Sequence, residues 1–189
     1  MIPFDFEYYK PKTVAETIKL FNKLIALDKK PVYYGGGTEF ISMARRYNVY
    51  ADAVIDVKGI DECNIHEFKN NELIIGSAIT LTDIAEINHF PLLSMTVKRI
   101  ADHTVQGKIT LGGNLAGTII YHEAVLPLLV SDSEIEVASS IGNRRIPLKD
   151  IFDKQIKLAR EEFIVQVIIK DSFLSMPFLH VKRTKNEKI

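Results

Sequence analysis

The chain has 189 residues, enough for one large domain or two small ones sharing a ligand, and with 47% apolar residues it can bury a sizeable core. Its 24 basic residues balance 24 acidic ones, so the overall charge selects neither nucleic acid nor an anionic membrane, and no apolar run approaches the ~20 residues of a membrane span. A single cysteine, Cys63, excludes an internal disulfide and any iron–sulfur cluster or thiolate zinc site ligated by this chain alone; its expected role is a small side chain in a strand. Met1 to Asp5 carries no charged segment followed by an apolar one, so no secretory signal is expected and the cytoplasm is the default location.

Phe4 to Tyr9 alternates loosely and predicts a strand ending before Pro11. Thr13 followed by Glu16 is a capping-box pattern, and the helix it opens carries Val14, Ile18, Phe21 and Ile25 on one face before stopping near Asp28 to Pro31. Pro31 to Tyr34 predicts a strand that runs into Gly35-Gly36-Gly37-Thr38-Glu39-Phe40, after which Phe40, Ile41, Ala44 and Tyr47 fall on one helical face. Ala53 to Val57 predicts a buried strand. Three strands around two helices make residues 1–58 a small α/β unit with parallel pairing.

Past Gly59 the pattern changes. Cys63 to Phe68 and Glu72 to Ile75 predict a hairpin through Lys69-Asn70-Asn71. Thr80 is a helix cap, and Pro91 starts another helix with Leu92, Met95, Arg99 and Ile100 on one side. Val105 to Thr110 leads into a second glycine stretch, Thr110 to Thr118, followed by a helix over 124–130. Glu134 to Ala138 and Arg144 to Pro147 predict a hairpin turning through Gly142-Asn143. Residues 59–160 thus form a second, larger α+β unit with an antiparallel sheet. Glu162 to Ile169 and Phe178 to Lys182 read as a further strand pair, the start of a third unit over 161–189.

A strand, a glycine turn and a helix start make an anion site, because glycines let backbone N–H groups approach a phosphate with no Cβ in the way. The stretch Tyr33 to Phe40 is neither GxGxxG with a trailing acid nor GxxxxGK[ST], so dinucleotide-Rossmann and P-loop readings are not supported. A lone glycine triplet reads first as a tight strand-to-helix turn; a second glycine stretch, with Ile109 and Thr110 leading into it, points instead to a grip on two ends of one elongated, phosphate-bearing ligand. The histidines at 66, 89, 103, 122 and 180 lack HxxxH or HExxH spacing, so no metal site is expected. His122, beside Glu123, reads as a positioning or surface residue before a proton-transfer residue. Ser131-Asp132-Ser133 has no GxSxG elbow, and Asp150, Asp153, Glu161 and Glu162 show no pairing. The basic cluster Lys182 to Lys185 reads as a solvated tail. No catalytic residue is expected; such a cradle suits a cofactor that carries its own chemistry.

The order FDFEYYKPKTVAETIKL … YYGGGTEF … AVIDVKGI … ELIIGSAITLTDI … ITLGGNLAGT … VLPLLVSDSEIEV resembles the FAD-binding subunit of molybdenum hydroxylases, the group that includes xanthine dehydrogenase and the medium subunit of carbon monoxide dehydrogenase. The resemblance covers residues 4–182 and implies a two-subdomain FAD fold of the vanillyl-alcohol oxidase-like type, with FAD extended between the two units. It implies that Tyr33, Tyr34, Gly35, Gly36, Gly37, Thr38, Glu39 and Phe40 hold the pyrophosphate. It places Ile109, Thr110, Gly112, Gly113, Asn114 and Thr118 near the flavin and phosphates. Glu123 falls at a cofactor-contacting aspartate, Leu158 near the flavin ring and Ile100 at an adenine-side contact. The chain departs from the family at Ile119-Ile120, where Ser-Pro is usual, and at Glu123, which adds a methylene. Family subunits also carry a C-terminal domain of which 161–189 is only the start.

The resemblance implies an electron-transfer role: iron–sulfur and molybdopterin partner subunits feed FAD, which passes electrons to NAD or another acceptor, with purine as the favoured substrate class. Two other readings stand beside it, a stand-alone flavin oxidoreductase and a cofactor-free assembly module. A visible flavin band separates the last from the others, and co-purifying iron–sulfur and molybdopterin subunits separate the first two.

Overall fold

The structure is a computed structural model that describes residues 2–119 and 122–183. Ile120 of the Ile119-Ile120 departure, and Thr184 and Lys185 of the basic cluster, lie outside the described residues.

Strand β1 (Glu7–Tyr9) begins later than the alternation suggests, because Phe4 and Phe6 turn into a ring cluster with Tyr50 and Phe40. Helix α1 (Val14–Ala26) starts where Thr13 Oγ1 accepts the Glu16 N–H at 3.1 Å; the Glu16 carboxylate reaches one residue further back and takes the Lys12 N–H at 2.8 Å. Asp28, at φ 57°, ends that run. Strand β2 (Pro31–Tyr34), helix α2 (Thr38–Ala44) and strand β3 (Ala53–Asp56) complete the first unit. Its sheet has the order β1-β3-β2 with both pairings parallel, so β3 is central, covered on both faces and apolar without alternation.

Cys63 is not in a strand. It lies wholly buried in a 3₁₀ turn, Asp61–Asn64, where burial pushes its thiol up to about 11 and keeps it protonated. Strands β4 (His66–Lys69) and β5 (Glu72–Gly76) form the expected hairpin through Asn70 and Asn71, both left-handed as a two-residue turn of this hand requires. Helices α3 (Leu81–Ile87) and α4 (Pro91–Val97) start at Thr80 and Pro91 as read. In α4 the inward face is Leu93, Ser94, Thr96 and Val97; Met95 is 40% exposed and Arg99 is also outside, so the expected face is rotated and only Ile100 is buried. Helices α5 (His103–Gln106), α6 (Leu111–Ala116) and α7 (Val125–Val130) follow.

Strands β6 (Glu134–Ser139) and β7 (Gly142–Pro147) turn through Ser140 and Ile141; Gly142 and Asn143 are already paired in β7. After α8 (Leu148–Ile151) and the short pair β8 (Phe152–Asp153) and β9 (Gln155–Ile156), strand β10 (Phe163–Lys170) enters the middle of the second sheet, whose order is β4-β5-β10-β6-β7, antiparallel throughout. The strand pair expected between 162–169 and 178–182 therefore does not form among the described residues. A run of seven buried residues, Phe163 to Ile169, has no exposed face to spare and takes the central place of the sheet, between β5 and β6.

One face of this sheet packs on α3, α4, α6 and α7 through Leu73, Leu93, Leu115, Leu128 and their neighbours. Its other face meets α1: Ile18 packs with Ala138, Phe163 and Val165, while Phe21 and Leu24 of the same helix pack on Ala53 and Ile55 of the first sheet. Helix α1 is thus the layer between the two sheets. Tyr33 joins it, stacked on Phe21 and packed on Phe163, both at 4.8 Å between ring centres, with its hydroxyl donating to the Glu161 carbonyl at 2.7 Å.

Candidate functional site

A cleft of about 1130 Å³ opens where the end of β2 meets the start of α6. Its floor is the first glycine turn. The N–H groups of Gly35 through Phe40 meet no acceptor among the described residues; the first N–H beyond them, that of Ile41, closes on the Gly37 carbonyl at 2.9 Å. Gly37 is left-handed, at φ 72°. The glycines are also sterically required: a Cβ on Gly36 would stand 1.6 Å from the Lys108 carbonyl oxygen, and one on Gly35 would stand 2.5 Å from Thr110 Oγ1. The missing side chains let the first turn lie directly against residues 108–110, which brings the two glycine stretches to one cleft.

The second stretch is built differently. It is the first turn of α6, not a loop, and its donors are taken: Leu111 N–H by Ile79 O at 2.8 Å, Gly112 N–H by Ser77 O at 2.9 Å, Gly113 N–H by Thr110 Oγ1 at 3.2 Å. It forms a wall of the cleft with no free backbone donors in its opening turn, in contrast to the first turn. Glu39 ties the two together, its carboxylate accepting the Thr118 N–H at 2.8 Å and also the Thr118 hydroxyl. Gly117 leaves room for that carboxylate, since a Cβ there would stand 2.6 Å from Glu39 Oε2.

Of the residues singled out in sequence, all but Gly112 and Leu158 line the cleft: Tyr33, Tyr34, Gly35, Gly36, Gly37, Thr38, Glu39, Phe40, Ile100, Ile109, Thr110, Gly113, Asn114, Thr118 and Glu123. Gly112 is buried against Ser77, where its lack of a side chain permits close packing, and Leu158 packs on the main core. The side chains of Tyr33 and Phe40 are committed to aromatic packing. Glu123 Oε2 is buried with no partner among the described residues, and its other oxygen lies 3.6 Å from Lys182 Nζ. His122 is buried, with Nδ1 at 3.0 Å from the Asn114 carbonyl. Because a carbonyl only accepts, Nδ1 carries the proton, and Nε2 is left without a partner among the described residues.

The cleft is also lined by Ser42, Met43, Asn48, Val49 and Ala101, which neither spacing nor residue type marked in the sequence, and by Gly117 and Ile119, which were noted there without being assigned to the cofactor. Sequence reading also missed a charged network behind the first turn. Asp56 is 2% exposed, accepts the Tyr8 hydroxyl and pairs with Lys58 at 2.8 Å. Burial pushes its carboxyl up, but hydrogen bonds from Lys58 and Tyr8 outweigh this and hold it below the usual carboxylate range. The same hydrogen bond pushes the Tyr8 phenol up to about 12. No three metal-ligating side chains gather among the described residues, and no helix there is long and apolar enough to cross a membrane.

Comparison with known proteins agrees with this architecture. The family described as the FAD binding domain in molybdopterin dehydrogenase matches residues 4–170. The chain is 26% identical over 174 residues to the nicotinate dehydrogenase FAD-subunit of Eubacterium barkeri, covering 87% of this chain and 58% of that protein. It is 26% identical over 184 residues to the xanthine dehydrogenase FAD-binding subunit of Escherichia coli O157:H7, covering 94% and 61%. Among solved structures, carbon monoxide dehydrogenase from Hydrogenophaga pseudoflava superposes with a TM-score of 0.81 at 24% identity, over 90% of this chain and 60% of that one. Quinoline 2-oxidoreductase from Pseudomonas putida 86 superposes with a TM-score of 0.80 at 21% identity. The chain spans 58% and 61% of the length of the two curated relatives. A glycine turn with free donors, facing a second glycine-rich wall across one cleft, is thus found in a chain that belongs to the family of FAD-binding domains of molybdopterin dehydrogenases.

Proposed function

We propose that this chain is the FAD-holding part of an electron-transfer flavoprotein subunit of a molybdenum hydroxylase. The observation that carries the reading is the row of N–H groups from Gly35 to Phe40, which meet no acceptor among the described residues and open onto a cleft at the large end of ligand-site volumes. Glycines that seat the turn against residues 108–110, and donors without acceptors, fit a diphosphate. When bound, FAD supplies one- and two-electron transfer. The chain's own work is to bind and orient. The backbone of 35–40 holds the diphosphate. Ile100 and Ile109 give apolar surface along the cleft. Asn114, held by its carbonyl on His122 and by its side chain on the Ala124 N–H, presents the second wall, and Glu123 offers a carboxylate oxygen.

In this reading the division near residue 58 separates the two walls of the site, with 163–170 forming part of the sheet behind the second. Iron–sulfur and molybdopterin subunits are the partners, NAD or another small acceptor takes the electrons, and the assembly is cytoplasmic. Purine is the substrate class we carry forward; the relatives' names span nicotinate, xanthine and carbon monoxide, which supports the enzyme class. The test is to incubate the purified chain with FAD and desalt it. A retained visible flavin band with quenched fluorescence is expected, and a colourless protein sinks the reading. Co-purification with iron–sulfur and molybdopterin subunits then distinguishes it from a stand-alone flavin oxidoreductase.

A further inference from the structure

Behind the first glycine turn stands a lysine that does not line the cleft. Lys58 Nζ donates to the Gly35 carbonyl at 2.5 Å, pairs with the buried Asp56 carboxylate at 2.8 Å and lies 4.6 Å from the centre of the Tyr34 ring. The Asp56 carboxylate is itself held by the Lys58 backbone N–H at 2.9 Å and by the Tyr8 hydroxyl. The ammonium is thus occupied within the protein by a carbonyl, a carboxylate and an aromatic face. Tyr34 in turn fills the space beside Gly37, where a Cβ would stand 2.1 Å from its hydroxyl oxygen.

The consequence follows from peptide geometry. In a trans peptide the C=O and N–H point in opposite directions. Lys58 draws the Gly35 carbonyl backward, so the N–H of Gly36, which shares that peptide plane, points forward. The plane lies between two glycines, the residues least able to resist rotating it the other way. A flipped plane would present a carbonyl oxygen to the anion.

We propose that Lys58 is a positioning residue that presets the first glycine turn with its N–H groups facing the diphosphate. This rests on the FAD reading above. Lys58 acts through the Gly35–Gly36 peptide and the anchor at Asp56, and holds the donors in place before the ligand arrives.

The test measures binding of FAD and of ADP, which carries the diphosphate without the flavin, to the full chain by calorimetry. It compares wild type, Lys58→Arg, Lys58→Met, and the double variant Asp56→Asn/Lys58→Met, which avoids leaving a buried charge unpaired. Thermal unfolding of each protein is followed in parallel. Loss of a charge-assisted hydrogen bond that orders the site predicts FAD and ADP affinity lowered about 10- to 100-fold in both Lys58→Met proteins. Lys58→Arg, which keeps a cationic donor at that place, is expected to restore most of the affinity for both. FAD affinity in the folded double variant matching that of wild type overturns the role of Lys58 while leaving the FAD reading intact. Wild type that binds neither ligand overturns the FAD reading, and the role of Lys58 with it.

Discussion

Gly36 has the tightest surroundings of any glycine in the site. A methyl group at 1.6 Å from the Lys108 carbonyl cannot be accommodated by a side-chain rotation, because the neighbour is backbone. Gly36→Ala is therefore expected to move the turn off residues 108–110, to cost about 1–3 kcal/mol of stability and to remove FAD binding. Thermal unfolding and FAD titration of that variant check both parts. Asp56 supplies a second residue-scale prediction. Its folded carboxyl lies below the unfolded value of about 3.9, so its contribution is fully present above that value and is lost as pH falls from there through the lower folded value. The groups facing Asp56 are Lys58 and Tyr8, with Tyr34 alongside. The melting temperature of wild type should drop more steeply in the acid limb than that of Asp56→Asn. Equal slopes would remove Asp56 from the account of acid stability.

At the scale of elements, the starts of α3 and α6 are linked. Thr80 and Thr110 cap the two helices and bridge each other, with Leu81 N–H on Ile109 O and Leu111 N–H on Ile79 O. Thr110 also occupies the space that Gly35 leaves open. Thr110→Ala removes a cap and a contact to the first turn together. It should cost about 0.5–2 kcal/mol of stability and weaken FAD binding, whereas Thr80→Ala, a cap off the cleft, should cost stability with little change in FAD affinity. Both variants can be read by thermal unfolding and FAD titration; equal affinity losses would show that Thr110 has no special role beyond capping. Element starts were the most legible feature of the sequence: Thr13, Thr80 and Pro91 act locally, through hydrogen bonds and a fixed backbone angle that need no partner from elsewhere. Helix faces were less legible, as α4 shows, since the apolar residues Leu92 and Met95 lie on the side that the fold leaves partly open.

Across the whole molecule, helix α1 and Tyr33 pack between the two large sheets. Tyr33 lies between Phe21 and Phe163 and bonds to Glu161, so it couples the unit carrying the glycine turn to the unit carrying the opposite wall. Tyr33→Ala should cost about 3–5 kcal/mol. It should also broaden or split the thermal transition as the two sheets lose their shared layer, with FAD restoring cooperativity by binding both walls. Tyr33→Phe, which keeps the rings and loses one hydrogen bond, should cost about 0.5–1.5 kcal/mol and leave the transition single. Calorimetric scans with and without FAD decide between these outcomes.

Local chemistry in the sequence determined the parallel pairing of the first unit, the Asn70-Asn71 hairpin, the capped helix starts and the two glycine stretches that meet at one cleft. Each is written in neighbouring residues: a continuous apolar strand, a left-handed turn pair, a hydroxyl before a helix, three glycines after a strand. Tertiary structure decided the rest. It made β10 the centre of the second sheet and not the edge of a third, turned the second glycine stretch into a helix start with its donors spent on Ser77 and Ile79, and set Lys58 behind Gly35. Those outcomes depend on which distant groups compete for the same hydrogen bonds and the same buried face, and that competition exists only once the chain has closed on itself.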